Sequence, residues 1–70
     1  MREKLKQIAI ENFTKDSLEI ANMFLLMTSE MFKYSGTKDE ENTLKVLKDN
    51  KVKYQIRTML SGQKFVELIK

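Results

Sequence analysis

KVKYQIRTMLSGQKFVELI, residues 51–69, decides the fold, because two different periods can be laid over it. Val52, Tyr54, Ile56 and Thr58 alternate with Lys51, Lys53, Gln55 and Arg57, the period-2 pattern of a strand with one dry face and one basic face. Ser61-Gly62 then reads as a tight turn and Phe65-Val66-Glu67-Leu68-Ile69 as a returning strand. The helical alternative takes Val52, Ile56, Met59 and Leu60 at i, i+4, i+7 and i+8, with Gly62 as the terminator. Crowding of β-branched and aromatic residues in 52–58 and 65–69 favours the hairpin. The expected fold is α+β and mainly helical, three helices followed by a C-terminal β-hairpin. If 51–70 coils instead, the alternative is an all-α four-helix bundle.

Immediately upstream, Thr37-Lys38-Asp39-Glu40 is a T-x-x-E capping box, in which hydroxyl and carboxylate satisfy free amides reciprocally. It opens a third helix running to about Lys48 or Asp49, with Leu44 and Leu47 as the apolar pair and Val46 to one side. Asp39, Glu40 and Glu41 occupy its first turn, where the helix dipole favours negative charge. Three consecutive acids on a helix cannot all face one ion, so no metal site and no cofactor are expected.

Further upstream, ten of the fifteen residues in Leu18 to Phe32, LEIANMFLLMTSEMF, are apolar. The stretch predicts a central helix that ends near Tyr34-Ser35-Gly36, with Gly36 taking the left-handed conformation. Thr14 or Asp16 can cap its start, and Asp16 with Glu19 resembles a capping box. At 100° per residue, Glu19, Asn22, Ser29 and Glu30 fall on one narrow strip, and Leu26 lands among them. Either a neighbouring segment covers Leu26, or Leu26, Met23 and Glu30 mark a self-association or partner surface. Met1 to Phe13 reads as a short first helix, with Leu5, Ile8, Ala9 and Phe13 on its apolar side.

Seventy residues make a single small domain, 1–70, at a size where one core barely offsets the entropy of ordering the chain. With no Cys and no His, disulfides and Cys/His zinc sites are excluded, and oligomerisation is the remaining route to extra stability; a homodimer is expected. The same absences remove the commonest general base and the thiol nucleophile, and the two glycines stand far apart at 36 and 62, so no phosphate loop exists. No enzymatic activity is expected. No charged stretch followed by an apolar run opens the chain, so the expected location is cytoplasmic. The uninterrupted apolar run Met23 to Met27 is far short of the ~20 residues that cross a bilayer, and no membrane partner is expected.

Net charge is +3 but unevenly placed: residues 1–42 carry six Lys/Arg against eight Asp/Glu, and residues 43–70 carry seven against two. A basic end on a small domain attracts polyanions.

The stretch Thr43-Leu-Lys-Val-Leu-Lys-Asp-Asn-Lys-Val-Lys-Tyr-Gln-Ile-Arg57, closed by Ser61-Gly-Gln-Lys-Phe-Val-Glu-Leu-Ile69, resembles the end of a winged-helix DNA-binding domain of the metal-sensing repressor type. There a recognition helix ends in a leucine-containing turn, a strand leaves, a Gly-bearing wing follows and a second strand returns. The resemblance covers somewhat over a third of the chain and implies a winged-helix-like fold. It also implies that Thr43, Lys45 and Lys48 lie on the helix side that enters a major groove, while Lys51, Lys53, Arg57, Gln63 and Lys64 approach phosphates.

The expected function is that of a small non-enzymatic nucleic-acid-binding regulator, with duplex DNA as the favoured partner, using the basic hairpin and the third helix. The alternative is a protein-binding inhibitor or adaptor acting through Leu26, Met23 and the acidic cluster Asp39 to Glu41, which fits DNA worst.

Overall fold

The computed structural model describes residues 2–69, in the order α1 (Arg2–Asn12), α2 (Leu18–Ser29), β1 (Met31–Tyr34), α3 (Lys38–Asp49), β2 (Tyr54–Thr58) and β3 (Lys64–Leu68). Met1, the expected start of the first helix, lies outside the described residues. The fold is α+β, and the C-terminal segment forms the expected hairpin rather than a fourth helix. Gly62, at φ +90°, closes its loop, where Gly62 N–H donates to Met59 O and Met59 N–H to Gln63 O. This matches the three-residue hairpin loop with glycine in the left-handed position.

A third strand was not foreseen. The central helix stops at Ser29 instead of near Tyr34, because Glu30 takes the left-handed conformation (φ 62°) and its N–H bonds back to Leu26 O. Met31–Tyr34 then pairs antiparallel with β3, Phe32 opposite Val66, giving the sheet order β1-β3-β2. The alternation in Met31-Phe32-Lys33-Tyr34 is too short to be told from helix by period alone. What selects strand is β3: with β2 on one side only, Val66 and Phe65 would leave a bare row of amides and carbonyls on the other. Gly36 has a positive φ (77°) as expected, but it serves the loop between β1 and α3.

One sheet face carries Phe32, Val66 and Leu68 into the core, together with the half-buried Tyr34 and Tyr54. Against it lie Leu5, Ile8 and Ala9 of α1, Met23 and Leu26 of α2, Leu44 and Leu47 of α3, and Val52. No helix among the described residues is long and apolar enough to cross a membrane.

Of the two alternatives for α2, the first holds: neighbouring segments cover Leu26. Half of its polar strip faces α3 while Ser29 and Glu30 stay exposed: Asn22 Nδ2 donates to Thr43 Oγ1 at 3.2 Å, and Asn42 Nδ2 donates to the Glu19 carboxylate at 3.2 Å. Asn22 and Glu19 thus find partners on α3 and are only partly exposed, and Leu26 between them is 0% exposed. Met23 is equally buried. Neither residue is a surface in this chain, so the proposed interface of Met23 and Leu26 is corrected to core. The opposite arc, with Leu18, Phe24 and Leu25, is left in solvent.

Helix α2 is entered through Ser17, not Thr14 or Asp16; Ser17 Oγ donates to Thr14 O and makes no cap bond into the helix. The Asp16–Glu19 box does not form, since Glu19 is engaged with Asn42. The box at α3 does form. Glu40 N–H donates to Thr37 Oγ1, while Glu40 Oε1 accepts from Thr37 N–H and Ser35 N–H, both at 2.9 Å.

Slight burial pushes the Glu40 carboxyl up, but hydrogen bonds from the Thr37 and Ser35 amides, the Thr37 hydroxyl and the Gly36 amide pull it further down, and it titrates below its ordinary value. A carboxyl held low in the folded state contributes stability that is present above its ordinary value and lost as pH falls through the lowered one. Glu40→Gln should therefore be less stable than the parent near neutrality and should converge with it under acid conditions. Thermal melts of both chains across that range measure the convergence.

Candidate nucleic-acid interface

Helix α3 is polarised along its length. Asp39, Glu40 and Glu41 occupy its first turn, and Lys48 its last. Leu44 and Leu47 bury one side. Thr43 is buried with them, 0% exposed, its hydroxyl donating to Asp39 O at 2.9 Å and accepting from Asn22. It cannot reach a groove, and its assignment to a nucleic-acid-facing surface is corrected. Its position one turn before Leu47 and next to Leu44 was the available signal: three of five consecutive residues could share the dry side.

The chain leaves α3 by a tight reversal. Lys51 takes the left-handed conformation (φ 61°), Lys51 N–H donates to Lys48 O at 3.0 Å, and Val52 N–H donates to Leu47 O at 2.9 Å. These two bonds, with Val52 buried beside Leu47, make a Schellman termination in which lysine holds the position usually given to glycine. Val52 thus belongs to the helix stop, and the strand begins two residues later than its alternation suggested. Ile69 N–H then donates to Lys53 O at 3.1 Å, drawing the end of the chain beside the start of β2.

The result is an open depression of about 520 Å³ lined by Lys48, Lys51, Val52, Lys53, Tyr54 and Ile69. All three lysines are exposed, and none has an ion-pair partner among the described residues. Val52, Tyr54 and Ile69 supply an apolar floor on which lysine stems can lie while their ammonium groups remain in water. Among the described residues, no carboxylate side chain lines it.

No family model, curated protein or solved structure matches this chain.

The remaining basic positions are not gathered with these three. Lys45 lines a different depression, shared with Glu19, Lys38, Asp39, Glu41 and Asn42. Arg57 projects from the outer sheet face, where its Nη1 meets Glu67 Oε2 at 3.2 Å, and Gln55 Nε2 donates to Glu67 Oε1 at 2.9 Å. The hydrogen bond from Gln55, then that from Arg57, hold the Glu67 carboxyl below its ordinary value. The outward row of β2 is consequently not a run of free positive charge, because β3 places an acid in register with Gln55. The other side of β2 is not dry either: it is an edge strand, and Ile56 remains 45% exposed although paired with Val66.

Gln63 is a brace, its Nε2 donating to Lys64 O at 2.9 Å and lying 3.5 Å from Tyr34 O. Lys64 is exposed beside it, along a depression formed by Tyr34, Ser35, Gly36, Ser61, Gly62 and Gln63. Glu30 is exposed; its backbone serves the α2 stop, and its carbonyl accepts from Leu68 N–H, extending the β1–β3 ladder.

The elements named by the winged-helix resemblance are present in order: helix, leaving strand, glycine loop, returning strand. A helix-turn-helix pair is not, since strand β1 and the loop 35–37 separate α2 from α3. The acidic end of α3 is the end such a helix would present to base edges. The basic C-terminal end of α3 is the better candidate contact.

Proposed function

We propose that this chain is a small, non-enzymatic, cytoplasmic nucleic-acid-binding regulator that grips the phosphate backbone with Lys48, Lys51 and Lys53. One observation carries the proposal: three lysines from a helix end, a reversal and a strand start, none with an ion-pair partner among the described residues, converge on one depression that no described carboxylate side chain lines. Ammonium groups so placed neutralise phosphates and release condensed counterions. Duplex DNA fits better than single strands, because stacking platforms need several exposed aromatics and this depression offers one half-buried tyrosine. Contacts of this kind position a protein on DNA without reading sequence.

The backbone at Lys51 offers a second test of the same proposal. A left-handed non-glycine residue costs roughly 1 kcal/mol, and glycine at this position would relieve it. Lys51→Gly should raise stability by about 1 kcal/mol and weaken duplex binding severalfold. A denaturant melt and a binding titration on the same sample measure the two effects.

Fluorescence anisotropy of a labelled duplex, titrated over a series of salt concentrations, tests the function. Three phosphate contacts give a slope of about −3 in log affinity against log salt. Absence of binding at low salt, or binding indifferent to salt, refutes the proposal.

A further inference from the structure

The least expected feature of the surface is the outer arc of α2. Leu18 is 65% exposed, Phe24 59% and Leu25 41%, and Ala21 and Thr28 are exposed between and beyond them. All five fall within one stripe of the helix, and no charged side chain interrupts it, because the acid of this helix, Glu19, is turned toward α3. Stripes of this kind on a helix ordinarily face a core.

We infer that this stripe is the seam of a homodimer, covered by the same stripe of a second copy. Its spacing is one argument. Leu18, Ala21, Leu25 and Thr28 recur at alternating three- and four-residue intervals, the a/d repeat of helices that pack side by side, and Ala21 leaves room for close approach. Phe24 flanks the seam where it can lie over the neighbouring helix.

Charge is a second argument. A twofold contact brings each surface against itself, so any charge on it meets its own copy. The chain as a whole carries +3, yet this stripe carries none and tolerates self-apposition.

Area is the third. A folded monomer of 8.3 kDa is expected to expose about 4,600 Å², whereas this chain exposes 5055 Å². The excess, on the order of 500 Å², is a whole-chain quantity to which the exposed Leu18, Phe24 and Leu25 contribute, and it is comparable with what each partner buries in a small specific interface. Association at that size is expected in the micromolar range. Because the inward face of α2 packs on α3, the seam points away from α3 and leaves the Lys48–Lys53 depression of each copy open.

Sedimentation velocity of the full chain from low micromolar to millimolar concentration tests the inference. The mass should climb from 8.3 kDa toward twice that value, and Phe24→Glu should hold it at the monomer value while circular dichroism keeps its helical signal. Should Phe24→Glu fail to fold, Leu25→Cys provides an independent readout, since the chain has no other thiol. A bifunctional maleimide should link Leu25→Cys chains into dimers and leave Lys45→Cys chains unlinked. A chain that stays monomeric to millimolar concentration overturns the inference, as does a mass curve unchanged in folded Phe24→Glu. Binding to lipid vesicles that Phe24→Glu abolishes, in a chain that never dimerises, also overturns it and assigns the stripe to a membrane surface.

Discussion

Leu26→Glu should unfold the protein. Leu26 is 0% exposed and sits where α2 meets the rest of the core, in one cluster with Met23, Leu47 and Val66. A carboxylate there loses its water and gains no cation, a cost of several kcal/mol even if it is taken up protonated. Total stability for a chain of this length is about 4–10 kcal/mol. One such substitution is of the same size as the whole. The expected result is loss of the cooperative thermal transition, whereas Leu26→Ala should fold and lose about 2–5 kcal/mol. Phe24→Glu, two residues away and in solvent, should keep the transition within a fraction of the parent stability. The contrast between positions 24 and 26 measures which way the helix faces. A cooperative melt for Leu26→Glu would mean that α2 turns Leu26 away from the core.

The facing of α2 is also what the sequence pattern alone leaves open between two alternatives. Local signals were legible: the Thr37–Glu40 box, the extent of α3 and the hairpin of 54–68 all rest on chemistry within a few residues. The orientation of α2 depends on partners twenty-one and twenty-three residues away, Thr43 for Asn22 and Asn42 for Glu19. A hydrophobicity pattern assigns polar residues to solvent because it has no access to such partners. Strand β1 was lost for a related reason, because the need for it arises on β3, more than thirty residues later. Of the candidate site, the residue types were legible and the grouping was not. Lys48, Lys51 and Lys53 are brought together by a left-handed lysine that no propensity would place there, while Arg57 is set apart by the strand register that delivers Glu67.

Lys48→Glu combined with Lys53→Glu should lower duplex affinity by roughly two orders of magnitude at low salt and reduce the salt slope from about −3 to about −1. Both side chains line the depression, are exposed and lie outside the core, so the variant should melt close to the parent. Arg57→Glu is the informative comparison. If affinity followed net charge alone, each reversal would weaken binding by a similar factor per site. Arg57 already faces Glu67 on the outer sheet, and it does not line the lysine depression. Its reversal should change duplex affinity by less than about threefold and leave the slope near −3. Anisotropy titrations of the three chains at matched salt separate the two cases. Equal losses for Arg57→Glu and the lysine pair would mean that the whole basic C-terminal segment attracts DNA as a diffuse field. A loss confined to the pair would locate the phosphates at the end of α3.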